Sequence, residues 1–222
     1  PYFNGIVKEA LLRVFPKASI SVDHDLTAAA YATYTGSPGI ACILGTGSNS
    51  CLFDGNSIYE EVPALGYILG DEGSGSYFGK KLLTSFLYKQ LPQPISDDLI
   101  QEFNLTKAEI FNKVYQTPHA NVYLASFTRF ISKYKSDPFI KEMLHQGMKD
   151  FLKVHVCSFK NFENIQAHFV GSIAFYFDES LYSAAKELGV NMGSIIKSPI
   201  QNLLQYHIKY VFNKEGNKSL HF

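Results

Sequence analysis

The sequence predicts an α/β fold in which a small sheet is joined to a large helical region. Three observations indicate this class. Two apolar runs of strand length flank a turn of glycines and hydroxyl residues at 45–50, a helical block extends from 93 to 159, and a strand-to-helix alternation follows at 165–188. With 222 residues, of which 46% are hydrophobic, the chain is long enough to bury a substantial core.

The composition argues against several classes of partner. Lysine and arginine number 20 and so do aspartate and glutamate, and no block of like charge occurs, so neither nucleic acid nor a membrane surface is predicted as partner. No apolar run is long enough to span a bilayer. Cys42, Cys51 and Cys157 lack metal-ligand spacing and cannot all pair, which predicts structural thiols in a reducing, cytoplasmic compartment.

The first 36 residues predict two helices and a short strand. Asn4 is predicted to cap a helix that ends near Val14, before Pro16. The segment 19–22 predicts a strand, and Asp25 opens an alanine-rich helix that ends before the breaker sequence at 36–39.

Asp25 has two interpretations that the local pattern leaves open. An aspartate at a helix start can cap free N–H groups and interact favourably with the helix dipole. Alternatively, it can act as a general base at the carboxyl end of a strand, where α/β proteins place their ligands. Asp23 is a weaker candidate because it lies nearer the strand, and His24 is predicted to be a loop or partly buried histidine.

The central motif is the run Gly45-Thr46-Gly47-Ser48-Asn49-Ser50, which separates the apolar strands 40–44 and 51–53. Glycines allow close approach of a ligand, and clustered N–H groups can surround an anion together with the hydroxyls of Thr46 and Ser48. The pattern predicts a β-hairpin whose tip holds phosphate. A dinucleotide-binding turn would lead into a helix, and a Walker loop would need a lysine, so both are disfavoured. An ordinary polar hairpin turn remains the alternative.

A second glycine-rich segment, Gly70-Asp71-Glu72-Gly73-Ser74-Gly75, follows a predicted strand at 57–60 and enters a predicted helix at 77–88. Each glycine raises the conformational entropy that the chain loses on folding, so a surface loop with several glycines is costly. Two adjacent carboxylates in such a loop therefore favour a segment that approaches a ligand closely. A flexible helix-capping loop is the alternative.

The remainder alternates between helices and strands. Helices are predicted at 97–103, 106–115, 120–133 and 137–159, with Thr106 and Asp137 at two of the starts. A strand at 165–170 leads through Gly171-Ser172 into a helix that ends near 188, followed by a strand at 191–196 and a helix at 199–210. N–H groups at the Gly171-Ser172 junction suit a ribose or phosphate, although small residues at such junctions often serve packing alone.

Taken together, these motifs resemble the N-acetylglucosamine kinase family. The resemblance extends to the BadF/BadG/BcrA/BcrD-type ATPases of the actin-like ATPase, sugar kinase and Hsp70 superfamily, and it rests on the order and spacing of Asp25, Gly45-Thr46-Gly47-Ser48, Gly70-Asp71-Glu72-Gly73 and Gly171-Ser172. It implies an actin-like ATPase (ribonuclease H-like) fold, with 1–36 as a remnant of the N-terminal lobe, 37–210 as the C-terminal lobe with a helical region at about 77–160, and 211–222 as a tail.

The resemblance also implies a role for each motif. Asp25 resembles the catalytic aspartate, which accepts the proton of a sugar 6-hydroxyl as it attacks the γ-phosphate of ATP. The tip at 45–48 resembles the second phosphate loop, and Gly171 with Ser172 resembles the adenosine motif. Gly66 and Asp71 match sugar-contacting positions, and Glu72 is predicted to bind substrate with them. ATP and Mg²⁺ are the implied cofactors, an amino sugar the substrate, and a homodimer a possible assembly.

Two departures from the family pattern qualify these expectations. Ala64-Leu65-Gly66 stands where family members often carry Gly-Trp-Gly, which affects the expected shape of the sugar pocket. The superfamily's first phosphate motif, with its Mg²⁺-associated aspartate, does not occur in this sequence, and we expect the chain to be inactive alone or a segment of a longer enzyme. Alternatives are an activator ATPase, whose iron–sulfur cysteines have no counterpart here, and a non-catalytic nucleotide- or sugar-sensing module.

Overall fold

A mixed five-stranded sheet organises the chain in the computed structural model, which describes residues 2–212. The tail predicted at 211–222 lies outside the described residues from 213 onward. The sheet order is β3-β2-β1-β4-β5, in which β1 is antiparallel to β2 and parallel to β4. The strand bounds are β1 Gly39–Leu44, β2 Ser48–Phe53, β3 Ile58–Tyr59, β4 Gln166–Val170 and β5 Met192–Ile196. The predicted α/β class is confirmed.

Helices precede the sheet, fill the gap between β3 and β4, and follow β4 and β5. Their bounds are α1 Tyr2–Val14, α2 Asp25–Thr33, α3 Gly66–Leu69, α4 Gly75–Leu87, α5 Gln93–Phe103, α6 Lys107–Phe111, α7 Ala120–Ser126, α8 Thr128–Lys133, α9 Pro138–His155, α10 Ser172–Tyr176, α11 Asp178–Leu188 and α12 Ile200–Tyr206. Single π-helical turns continue α6 and α12, at Asn112–Gln116 and His207–Phe212.

The two faces of β1 supply two cores, because successive side chains of a strand point to opposite faces. Ile40, Cys42 and Leu44 enter the larger core, which the helices α4, α9 and α11 complete. Ala41 enters the smaller core, which α2 and the strand β2 share. A strand covered on both faces must be apolar throughout, which explains the unbroken hydrophobic run in β1.

Helix α2 therefore packs directly on the sheet. Leu26 and Ala30 are buried against Ala41, Cys51 and Phe53. The small side chains of this helix allow it to approach the strands closely. The domain boundary predicted at residue 36 remains a prediction.

Three predicted helix starts can be compared with the observed ones. Thr106 and Asp137 are N-caps as expected, and their side chains accept hydrogen bonds from the N–H groups of Glu109 (3.1 Å) and Phe139 (2.9 Å). The prediction for Asn4 is wrong, because this residue lies inside α1 and its side-chain amide donates to the carbonyl of Val22 (3.1 Å).

The predicted strand at 19–22 is also wrong. This segment has no strand partner within residues 2–212 and stays irregular between α1 and α2. A strand exists only where a neighbouring chain pairs with its N–H and C=O groups, and propensity cannot supply that neighbour.

The helical block has more breaks than the sequence predicts. The segment predicted as one helix at 120–133 divides at Phe127 into α7 and α8, and α9 ends at His155 rather than near 159. The short helix α3 was not predicted. Across the described part of the chain, no helix combines the length and hydropathy needed to cross a bilayer.

Candidate functional site

The hairpin tip is a three-residue turn that α4 fixes from behind. β1 ends at Leu44 and β2 begins at Ser48, so the tip is shorter than the sequence predicts. The N–H group of Gly45 donates to the carbonyl of Gly47 (3.0 Å). At the first turn of α4, the N–H groups of Gly75 and Ser76 donate to the carbonyls of Gly45 (2.8 Å) and Thr46 (3.0 Å). The tip carbonyls are thus turned toward the protein.

The outer side of the tip keeps free donors. Within residues 2–212, the N–H groups of Thr46 and Gly47 have no hydrogen-bond acceptor. Thr46 is exposed, and a Cβ added at Gly45 would meet no atom within 4 Å. Two adjacent N–H groups and a hydroxyl, next to open space, are donors of the kind that bind an anion.

Ser48 joins the tip to the second glycine-rich segment. Its N–H donates to the Asp71 carboxylate (3.3 Å), and its hydroxyl donates to the carbonyl of Glu72 (2.8 Å). Asp71 has a left-handed backbone, with φ of 58°, and a Cβ added at Gly47 would lie 3.0 Å from its Oδ2 atom. The two predicted ligand loops, at 45–50 and 70–75, are therefore in contact in the structure although they are separated along the chain.

The two carboxylates of this loop lie in different environments. Burial raises the pKa of Asp71, partly opposed by the Ser48 N–H group that donates to it. The Glu72 carboxylate lies 3.7 Å from Nε2 of His155, whose side chain is 4% exposed. Burial lowers the pKa of His155, partly opposed by Glu72 and Asp71. No sequence signal pointed to His155, which lies in the distant helix α9.

Gly171 lies beside the tip at the carboxyl edge of the parallel strands. It has a φ of 125°, its N–H donates to the carbonyl of Ile196 (2.9 Å), and a Cβ added there would lie 2.2 Å from the carbonyl oxygen of Leu44. Ser172 follows as an exposed residue at the start of α10. This edge of an α/β sheet is where ligands usually bind.

A cavity of about 390 Å³ is lined in part by Ser172. The helices α8 and α10 form its walls, with the lining residues Thr128, Arg129, Ser132, Ser172, Ile173, Tyr176 and Phe177. No sequence pattern indicated that Thr128, Arg129 and Ser132 of α8 line a cavity. A polar residue on a helix surface has no recognisable role until the fold places another element beside it. A second cavity, of about 600 Å³, lies farther from the tip, between α9 and α11.

Asp25 lies at the start of α2, the helix that packs on the smaller-core face of the sheet. The other end of α2 is at the base of the hairpin, where the Tyr34 ring packs on Phe53 (centroids 5.0 Å apart) and lies against Gly55. Leu26, next to Asp25, is buried in the same cluster as Ala41 and Cys51. The structure shows no direct contact between Asp25 and the tip.

The capping interpretation of Asp25 does not fit its position. His24 is the N-cap of α2, and no side chain caps this helix start. Asp25 is the first helical residue and is exposed, and within residues 2–212 its side chain forms no hydrogen bond or ion pair. The carboxylate is therefore available to a ligand.

Gly66 opens the helix that leads into the second loop. It is exposed, has a φ of 69°, and its carbonyl accepts a hydrogen bond from the N–H of Gly70 (2.8 Å). The predicted sugar-contacting position is thus linked through the backbone to the segment that carries Asp71 and Glu72. A Cβ added at Gly66 would meet no atom within 4 Å, so a ligand has room to approach this residue.

Several solved structures are similar to this chain, among them two of the same name. One, from Porphyromonas gingivalis, is named "Putative N-acetylglucosamine Kinase" and matches with 41% identity and a TM-score of 0.90, over 95% of this chain and 74% of the other. The other, from Chromobacterium violaceum, has the same name and a TM-score of 0.65 over 86% of this chain and 68% of its own, and its 18% identity shows a shared fold alone.

Other comparisons give no match. No known protein-family pattern matches the sequence, and no curated protein is significantly similar to it. The identity to the Porphyromonas gingivalis protein, over nearly the whole of this chain, is high enough to establish common family membership. The chain belongs to the N-acetylglucosamine kinase-like family.

Proposed function

We propose that this chain carries the phosphate and sugar sites of an ATP-dependent kinase that phosphorylates the 6-hydroxyl of N-acetylglucosamine or a similar amino sugar. The observation that carries the proposal is the contact between a hairpin tip with free N–H groups and a loop with two adjacent carboxylates. One surface binds an anion and the other binds hydroxyl groups, which are the two parts that transfer of phosphate to a sugar requires.

The tip is proposed to hold phosphate groups of ATP. The N–H groups of Thr46 and Gly47 would donate to phosphate oxygens, and the Thr46 hydroxyl would add a third donor. Because α4 already holds the carbonyls of this turn, the donors are oriented before the ligand arrives. Binding then costs little additional conformational entropy.

The nucleoside is proposed to lie across Gly171 and Ser172. The close approach of Gly171 to Leu44 brings this junction beside the tip. The cavity that Ser172 helps to line also has Arg129 and three further hydroxyl residues in its walls. The apolar part of this lining suits a base, and its hydroxyl and guanidinium groups suit a ribose. Support for an actin-like lobe comes from the sheet order, in which an antiparallel hairpin precedes two parallel strands.

Mg²⁺ is proposed to enter with ATP, bound to phosphate oxygens and water. That coordination fits its usual preference, and it would neutralise negative charge on the transferred group. Within residues 2–212, no group of three or more His, Cys, Asp or Glu side chains is placed to hold a metal. The free donors of the tip suit the phosphates themselves.

Asp25 is proposed as the general base. Its carboxylate would accept the proton of the sugar 6-hydroxyl while that oxygen bonds to the γ-phosphorus and the bond from phosphorus to the β–γ bridging oxygen breaks. The products are the sugar 6-phosphate and ADP. The exposed carboxylate at the start of α2, without a capping role, supports this assignment.

The Thr46→Val variant tests the phosphate site. It replaces the hydroxyl by a methyl group of similar size, so the KM for ATP should rise about tenfold while kcat stays within about threefold, as expected for loss of one hydrogen bond to a charged group. Thr84→Val, at an exposed position of α4, is the matched control and should change neither constant. An unchanged KM for ATP in Thr46→Val would contradict the phosphate assignment.

The function itself is tested with the complete gene product that contains this chain, labelled ATP and a panel of hexoses and amino sugars. Transfer of label to N-acetylglucosamine or a related sugar would support the proposal. Hydrolysis that does not depend on sugar would instead indicate an activator ATPase, and binding without turnover would indicate a sensor module. Either of these results would reject the kinase assignment.

A further inference from the structure

His155 lies behind the second ligand loop, out of reach of solvent. It is the last residue of α9 and is 3% exposed, and its ring stacks on Phe151 with centroids 4.9 Å apart. Nδ1 is 3.4 Å from the Ser50 hydroxyl, and Nε2 is 3.7 Å from Oε2 of Glu72. The imidazole thus lies between strand β2 and the loop that carries the two carboxylates.

The surrounding donors and acceptors select one tautomer of this ring. Ser50 donates its hydroxyl proton to the carbonyl of His155 (2.7 Å), close to Nδ1 of the same residue. The Ser50 hydroxyl can act as donor or acceptor toward Nδ1, whereas a lone pair on Nε2 would face a carboxylate. A neutral ring therefore carries its proton on Nε2, directed at Glu72. Burial favours the neutral form, since it lowers the pKa of His155.

The carbonyl and one carboxylate oxygen of Glu72 face the protein, and the rest of the carboxylate faces solvent. Its carbonyl accepts the Ser48 hydroxyl (2.8 Å), and the carboxylate oxygen Oε2 faces His155. The side chain is 24% exposed, so part of the carboxylate reaches solvent. A glutamate in a glycine-rich loop has many rotamers, and a buried partner restricts them before a ligand binds.

We propose that His155 is a positioning residue for substrate, which fixes Oε2 of Glu72 through Nε2–H so that the outer oxygen of the carboxylate faces a hydroxyl group of the sugar. This inference rests on the proposed function, since it needs a sugar at the Asp71–Glu72 loop. His155 itself does not touch the substrate. Its effect should appear in sugar binding and leave nucleotide binding unchanged.

Two substitutions of His155 distinguish the contribution of Nε2 from that of Nδ1. The amide of His155→Gln can reach the position of Nε2 and keep a donor toward Glu72, whereas the shorter amide of His155→Asn stays near Nδ1 and loses that donor. We expect His155→Asn to raise the KM for sugar about tenfold, with the KM for ATP within about twofold, and His155→Gln to restore the KM for sugar to within about threefold of the unmodified protein.

Two further measurements exclude a merely structural effect. His145→Asn is the matched control, because His145 lies on the same helix but contacts the surface residue Glu187 (3.0 Å), and this variant should leave both KM values unchanged. In a Glu72→Gln background, His155→Asn should add less than about twofold to the KM for sugar, because the two residues act as one unit. Thermal unfolding of every variant shows whether it is folded.

Different results reject different parts of the account. If the unmodified protein transfers phosphate to sugar but His155→Gln is as impaired as His155→Asn, or the effects of the Glu72 and His155 substitutions multiply independently, the positioning role is overturned. If the unmodified protein shows no sugar-dependent transfer and binds no sugar in calorimetry, the proposed function is rejected and the positioning role with it.

Discussion

Asp25→Asn is expected to lower kcat for phosphate transfer by about 10²- to 10⁴-fold, the usual contribution of a general base. The amide keeps the size and most of the polarity of the side chain but cannot accept the proton of the sugar hydroxyl. Asp25 is exposed, does not cap α2 and has no ion-pair partner within residues 2–212. The folded state should therefore tolerate the change, and the affinity for ATP should stay within about twofold of that of the unmodified protein.

Asp23→Asn is the matched control for this prediction. Asp23 is an exposed acidic residue two positions earlier, and its carboxylate accepts a hydrogen bond from the N–H of His24 (2.9 Å). Its substitution should change kcat less than about threefold. Steady-state kinetics with saturating ATP and sugar measures both variants, and a kcat for Asp25→Asn within about tenfold of the unmodified protein would show that another group accepts the proton.

Gly171→Ala is expected to damage both the fold and nucleotide binding. A Cβ at this position would lie 2.2 Å from the carbonyl oxygen of Leu44, and the φ of 125° is unfavourable for any residue except glycine. Backbone strain and overpacking together should cost on the order of 2–5 kcal/mol of unfolding free energy. Because the displaced atoms are those of Leu44, next to the tip, any variant that folds should bind ATP more weakly.

Gly189→Ala separates strain from steric overlap. Gly189 also has a positive φ, of 71°, but a Cβ added there would meet nothing within 4 Å. Its substitution should cost only about 1 kcal/mol and leave ATP affinity unchanged. Thermal unfolding and calorimetric titration with ATP compare the two variants. Equal losses of stability, or normal ATP binding by Gly171→Ala, would contradict the placement of this glycine beside the phosphate site.

Local signals in the sequence accounted for much of the sheet and for several helix starts. Two apolar runs of strand length on either side of a glycine-rich turn predicted the hairpin, because short apolar runs bounded by turn residues are typical of strands. Thr106 and Asp137 were recognisable as caps, since capping depends on the residue itself and its next few neighbours. The strand predicted at 19–22 failed because it needed a partner strand.

The contacts between distant segments could not be predicted from local patterns. The hydrogen bonds of Ser48 to Asp71 and Glu72 depend on the packing of the 70–75 loop against β2, which no local pattern specifies. His155 and Arg129 had no sequence signal, because a histidine at a helix end or an arginine on a helix surface is common and gains meaning only from the element beside it. The motif residues were predictable, and the residues that support them were not.

The most direct test of the central proposal is a crystal structure of the complete gene product with a nonhydrolysable ATP analogue and N-acetylglucosamine. Our account predicts phosphate oxygens on the N–H groups of Thr46 and Gly47, sugar hydroxyls on the Asp71 and Glu72 carboxylates, and the Asp25 carboxylate within about 3 Å of the 6-hydroxyl. A nucleotide bound away from the hairpin tip, or an Asp25 carboxylate that faces away from the sugar, would contradict it.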